Sequence, residues 1–155
     1  MTDTTPTESN LSGLDRKDFQ KNINSRKTDL YILKNAQGME VAVTNYGCAI
    51  LSIMVPDKNG KFANVILGHD SIEHVINSPE PFLSTTIGRY GNRIANGKFT
   101  LYGEEHLLTV NNGPNSLHGG PTGFHARVWD AVQPNESTVI FNYTSADGEE
   151  ASPVL

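Results

Sequence analysis

A chain of 155 residues with 37% apolar and 19% charged content can bury a core in one ordinary domain and is too apolar for wholesale disorder. Its net charge of −5, with no cluster of Lys and Arg, argues against nucleic acid and anionic membrane as partners, because nothing would neutralise phosphates. No apolar run reaches the roughly 18 residues that cross a bilayer, and no secretory leader opens the chain, so the expected home is the cytoplasm; a chain without its leader would read the same.

In chain order, residues 1–13 are rich in Thr and Ser and are expected to be disordered. Residues 14–25 are polar with Leu14, Phe19 and Ile23 as anchors, so 1–25 reads as a disordered or loosely packed lead and 26–155 as the domain. Residues 30–34 are β-formers, 35–38 are a hairpin turn, and 39–46 alternate with Val41 and Val43 on one face. Gly47 breaks the pattern. Residues 48–55 form the most apolar run, expected as a strand buried on both faces. The single cysteine, Cys48, lies there and reads as a small buried hydrophobe rather than a reactive thiol.

Residues 56–60 are a strong turn, and 63–68 return as a strand. Asp70 is expected to cap the one helix, with Glu73 completing a capping box, Ile72, Val75 and Ile76 inward, and Pro79 and Pro81 ending it. His69 and His74 read as surface residues. Residues 82–87 look extended. Residues 98–102 and 106–110 pair across Gly103-Glu104-Glu105, with His106 expected to be exposed. Residues 128–132 and 138–144 make a last pair around 133–136. Short strands at close spacing predict an all-β fold, a sandwich or barrel.

The stretch 86–120 reads as a site. Gly and Asn are dense, which suits backbone that turns tightly or approaches a ligand closely. Among them stand Asn92, Arg93 and His118. A guanidinium fork, an amide and an imidazole can grip a small, neutral, hydroxyl-rich ligand. The plain alternative is turns between strands, an Arg in a surface ion pair and a half-buried, satisfied His. Nothing indicates a metal or an organic cofactor, and nothing fixes an oligomeric state.

The run Ile87-Gly88-Arg89-Tyr90-Gly91-Asn92-Arg93-Ile94-Ala95-Asn96-Gly97-Lys98-Phe99 resembles the G-R-x-x-N-R-I-A-x-G-x-F signature of the aldose 1-epimerases, or galactose mutarotases. Residues 111–120 resemble that family's N-x-x-P-N-x-L-H-G-G segment. Gly123-Phe124, Trp129 and the Asp147-Gly148-Glu149-Glu150 run also match, as do Asn45-Tyr46-Gly47 and residues 57–60 and 65–68 upstream. Several motifs in one order, over about residues 26–150, carry the resemblance.

The resemblance implies part of a large antiparallel β-sandwich, the galactose mutarotase-like supersandwich, with a hexose such as galactose or glucose in a cleft. It implies interconversion of α and β anomers without a cofactor. Asn92, Arg93 and His118 match substrate-binding positions, and Glu149 and Glu150 belong to a structural run. The family's catalytic Glu and His lie downstream, in a chain about twice as long, so no catalytic residue is expected here. The chain departs from the family after Glu150, and an N-terminal half without mutarotase activity of its own is expected. A non-catalytic carbohydrate-binding fragment and a functionless one are the alternatives. A sugar-phosphate epimerase would want more basic residues than Arg89 supplies.

Overall fold

The computed structural model describes residues 10–152, so the disorder expected for residues 1–9 falls outside it. Two short strands, β1 (Asn22–Ile23) and β2 (Arg26–Lys27), pair across Asn24 and Ser25, both at positive φ. Next, β3 (Leu30–Lys34), β4 (Glu40–Thr44), β5 (Ile50–Pro56) and β6 (Phe62–Asn64) form an antiparallel sheet in sequence order. Local chemistry sets its turns. The Asn35 side chain accepts from the Gln37 and Met39 amides at 3.0 and 2.9 Å, and Asp57 accepts from Asn59 and Lys61 at 2.7 and 2.9 Å. Such side-chain bonds to the next amides close a turn.

Phe19, Leu30, Ala42, Ala49, Leu51, Ile72 and Val75 make one buried cluster, with Leu14, Ile32, Tyr46 and Ile76 packed against it. Phe19 is 0% exposed. Of the lead's apolar anchors, Phe19 belongs to the core and Leu14 packs against it. On β4 the residues facing this cluster are Glu40, Ala42 and Thr44, all 0% exposed, while Val41 on the other face is only half-buried. The Glu40 carboxylate is tolerable there because the Leu11 and Ser12 amides donate to it at 2.9 and 3.0 Å, with Lys34 Nζ 3.8 Å away.

The helix α1 (Ile72–Ile76) is capped by Ser71, not by Asp70. Ser71 Oγ accepts from the His74 amide at 3.3 Å. Two adjacent cap-type residues competed, and Asp70 instead pairs with the His74 imidazole while Glu73 pairs with Lys21. Cys48 is half-buried at φ +47, and burial pushes its thiol up to about 12, so it carries no thiolate near neutral pH.

β6 is shorter than expected. The Asn64 side chain accepts from the Ile53 and Ile66 amides and leads the chain off the sheet, leaving Val65 and Leu67 exposed. The segment after α1 is a turn before it is extended, with the Leu83 amide donating to Glu80 at 3.0 Å.

Beyond it lie β7 (Arg93–Ile94), β8 (Lys98–Leu101), β9 (Glu104–Leu107), β10 (Ser116–Leu117), β11 (Asp130–Asn135) and β12 (Thr138–Asn142). The β8–β9 turn is Tyr102-Gly103, both at positive φ, one step earlier than the sequence suggested. A two-residue turn of that hand matches strand twist. His106 is half-buried against Phe99, with ring centroids 5.1 Å apart, because the two are directly opposed across the hairpin. The β11–β12 hairpin leans on β3: the Lys34 amide donates to Glu136, and Gln133 Nε2 to Ile32, both at 2.8 Å. The chain is mostly β, as the pattern predicts, and every strand pair among the described residues is antiparallel.

Candidate functional site

Three glycines build the floor. A methyl at Gly119 would collide with the Gly88 carbonyl, one at Gly88 with the Phe124 ring, and one at Gly123 would stand 2.8 Å from the carbonyl oxygens of both Gly88 and Gly119. The Phe124 amide donates to Gly88 at 3.3 Å. The density of glycine thus serves close approach of backbone to backbone. Asparagines do the turning: Asn92 and Asn96 have φ of +67 and +56, and the Asn111 side chain grips both the amide and the carbonyl of Leu117, at 2.7 and 3.0 Å.

On this floor β7 pairs with β10, with Arg93 opposite Leu117. The register brings Asn92, Arg93 and His118 together. The His118 amide donates to the Asn92 carbonyl at 3.0 Å, and the Asn92 amide donates to His118 Nδ1 at 2.9 Å. Arg93 Nη1 donates to Asn92 Oδ1 at 3.3 Å and Nε to Asn112 Oδ1 at 2.9 Å. All three expected site residues therefore share one cluster. Asn112 is a fourth member, and its signal was present in the same loop.

The amide at His118 Nδ1 fixes more than position. A nitrogen that accepts carries no proton, so the neutral ring holds its proton on Nε2 and offers a donor there. Among the described residues no hydrogen bond engages His118 Nε2 or Arg93 Nη2. The cluster thus presents donors, which suits oxygen acceptors on a ligand.

Behind it stands a residue that sequence reasoning missed. His125 is 4% exposed, and its Nδ1 has no partner among the described residues. Phe82 meets both imidazoles, His118 at 4.8 Å and His125 at 4.5 Å between centroids. Burial pushes His125 below the ordinary histidine range, and the charges of His118 and Arg127 add to this, against Glu150 and the Pro121 carbonyl. No local pattern marks it, since histidine is intermediate in its preference for burial.

Glu149 and Glu150 are occupied structurally. Glu149 accepts from Tyr143 and Ser145 and pairs with Arg127 at 2.9 Å, and Glu150 takes the amide and hydroxyl of Thr122. Burial pushes the Glu149 carboxyl up, but those hydroxyls together with Arg127 and Arg89 outweigh it and leave it below its usual value. Arg89 is spent on Ser145, Ala146 and Ser152. A hollow of about 480 Å³ opens beside Arg93, walled by Tyr90, Ile94, Phe99, Leu101 and Leu108. No helix among the described residues is long and apolar enough to cross a membrane.

Comparison with known proteins accounts for this architecture. The family model for aldose 1-epimerase matches residues 29–154. Galactose mutarotase of Bos taurus is 41% identical over 115 residues, which is 74% of this chain and 33% of that protein. Aldose 1-epimerase of Escherichia coli K12 is 40% identical over 124 residues, 80% of this chain and 36% of that protein. The chain spans about a third of the length of these curated relatives. Among solved structures, a GalM/aldose epimerase homologue from C. elegans superposes with a TM-score of 0.76 at 31% identity, covering 81% of this chain and 38% of that one. Galactose 1-epimerase from Lactobacillus acidophilus gives 0.72 at 29%, covering 84% and 38%. The architecture is thus part of a galactose mutarotase-like β fold, and the chain belongs to the aldose 1-epimerase family.

Proposed function

We propose that this chain carries the sugar-gripping part of an aldose 1-epimerase acting on a hexose such as galactose or glucose. Asn92, Arg93 and His118 bind the sugar, and the acid and base belong to the part of the relatives' length that this chain does not span. The observation that carries the reading is the bond from the Asn92 amide to His118 Nδ1, which leaves Nε2 as the ring's donor on a residue held by the same Asn92 that accepts from the Arg93 guanidinium.

Anomer exchange needs a base to take the proton of the C1 hydroxyl and an acid to protonate the ring oxygen as the ring opens. Rotation about a carbon–carbon bond and the reverse transfers close the ring on the other face. Charge grows on the ring oxygen during opening. Donors fixed beforehand, such as the His118 Nε2 proton and the Arg93 guanidinium, stabilise that charge without reorganising. Neither shuttles the proton in this reading.

Two measurements test it. Galactose titration followed by Trp129 fluorescence should show saturable binding, because Trp129 packs edge-on against the Phe124 ring that covers Gly88. Arg93→Ala should abolish it, and a wild-type chain that binds no hexose would overturn the reading. Polarimetry of fresh α-galactose should show no acceleration by the chain alone. Acceleration that vanishes in Arg93→Ala would instead place acid and base within these residues. A non-catalytic carbohydrate-binding role is the second reading, favoured by the absence of any spare carboxylate beside His118 among the described residues, where Glu149 and Glu150 are both occupied.

A further inference from the structure

We propose that Phe82 and His125 are positioning residues that set the ring of His118. The inference rests on the sugar-binding reading of His118. His118 stands at φ +54, in the left-handed region that few residues other than glycine adopt. Two contacts hold its ring: the Asn92 amide at Nδ1 and the Phe82 ring, tilted 58°. Phe82 is in turn set by His125, tilted 60° at 4.5 Å. The three rings form a continuous row from the ligand-facing imidazole to a buried one.

The far end of that row is tied to the main sheet as well as to the site floor. The Thr86 amide donates to the Gly47 carbonyl at 2.8 Å, and the Ile50 amide to Ser84 at 2.9 Å, which ties the Phe82 segment to the start of β5. The Gly47 amide donates to the Arg127 carbonyl at 2.7 Å, and a methyl on Gly47 would collide with the His125 carbonyl. The segments that carry Phe82 and His125 are thus both tied to the turn between β4 and β5. The Asn92 amide locates one nitrogen of His118, and the row of rings locates the plane. Burial keeps His125 neutral, so it adds no like charge beside an imidazole that donates to a ligand.

The test reads the imidazole nitrogens of the full chain by long-range proton–nitrogen correlation, and galactose affinity in parallel. In the wild-type chain His118 should show one unprotonated Nδ1 and one protonated Nε2. In Phe82→Leu those two shifts should move toward each other as the tautomers mix, and affinity should fall about two- to twelvefold, the worth of one ring–ring contact. His125→Leu should move both readouts in the same direction by less, and Phe82→Tyr should restore them. The His106 signals, from the separate β8–β9 hairpin, report that the variants fold. His118 nitrogens unchanged in a folded Phe82→Leu chain, or in His125→Leu should the first variant not fold, would overturn the proposal. If the wild-type chain binds no galactose, the sugar reading fails, while the nitrogen shifts still decide whether the rings position His118.

Discussion

The core cluster of the β3–β6 sheet is built of side chain on side chain, whereas Gly119 and Gly123 in the site stretch pack backbone on backbone. The sheet buries Leu30, Ala42, Ala49 and Leu51 against Phe19, Ile72 and Val75. The site stretch buries Gly88, Gly120 and Gly123 with Ser116 and His125, and its tightest contact is that of Gly119 with the Gly88 carbonyl. Apolar cores adjust to a changed shape if volume is kept. A carbonyl a bond's length from a missing Cβ adjusts to nothing. Precision at Asn92, Arg93 and His118 thus comes from removing side chains around them, and the three stand on a floor that tolerates no additions.

The largest expected effect sharpens this contrast with one methyl group. Gly119→Ala combines a left-handed φ of +85 with a collision against Gly88. A penalty of about 1–2 kcal/mol for the backbone and about 1–3 kcal/mol for overpacking should lower stability by about 2–5 kcal/mol in urea unfolding. Leu51→Met, which reshapes a core side chain that is 2% exposed, should cost less than about 1.5 kcal/mol. The reverse order would break the comparison. Ser71→Ala should come next, at about 1 kcal/mol for a lost cap bond, with Asp70→Ala costing less because Asp70 lies outside the helix.

What could be read in advance divides along the same line. The hairpins at 35–38 and 57–60 were legible because Asn35 and Asp57 close their turns with atoms a few residues away. The cap was off by one because Asp70 and Ser71 offer the same chemistry, and the β8–β9 turn was off because Gly103 suits either register. The burial of Glu40 was not legible. It depends on amides of Leu11 and Ser12 that arrive from 29 and 28 residues away. The Asn92–Arg93–His118 cluster was legible through motif resemblance, and the β7–β10 pairing supplies its physical reason. His125 was invisible, since its burial follows from Gly47 and Phe82, distant in sequence. Fluorescence and urea unfolding of Arg93→Ala separate site from scaffold: binding should vanish while stability moves by no more than about 0.5 kcal/mol, because Arg93 is exposed.

The smallest expected effect concerns pH, and it falls on one region only. His125 holds its proton less tightly when folded than its ordinary value of 6.5 would allow. The unfolded chain therefore binds more protons than the native one as pH drops below that value, and stability falls with it. The fall ends once the folded His125 is itself protonated. The groups facing it, Glu150, His118, Arg127 and the Pro121 carbonyl, all belong to the site side of the molecule. The β3–β5 strands contain no histidine, so they lack a group of this kind. Hydrogen exchange at pH 7 and pH 5.5, corrected for intrinsic rates, should show protection lost at the Ala126 and Arg127 amides, which close the turn after Gly123, and kept on β4 and β5. Equal loss in both regions would mean that acid acts on the whole fold, and His125→Leu should then leave the profile unchanged; if the comparison holds, that substitution removes the difference between the two pH values at those amides.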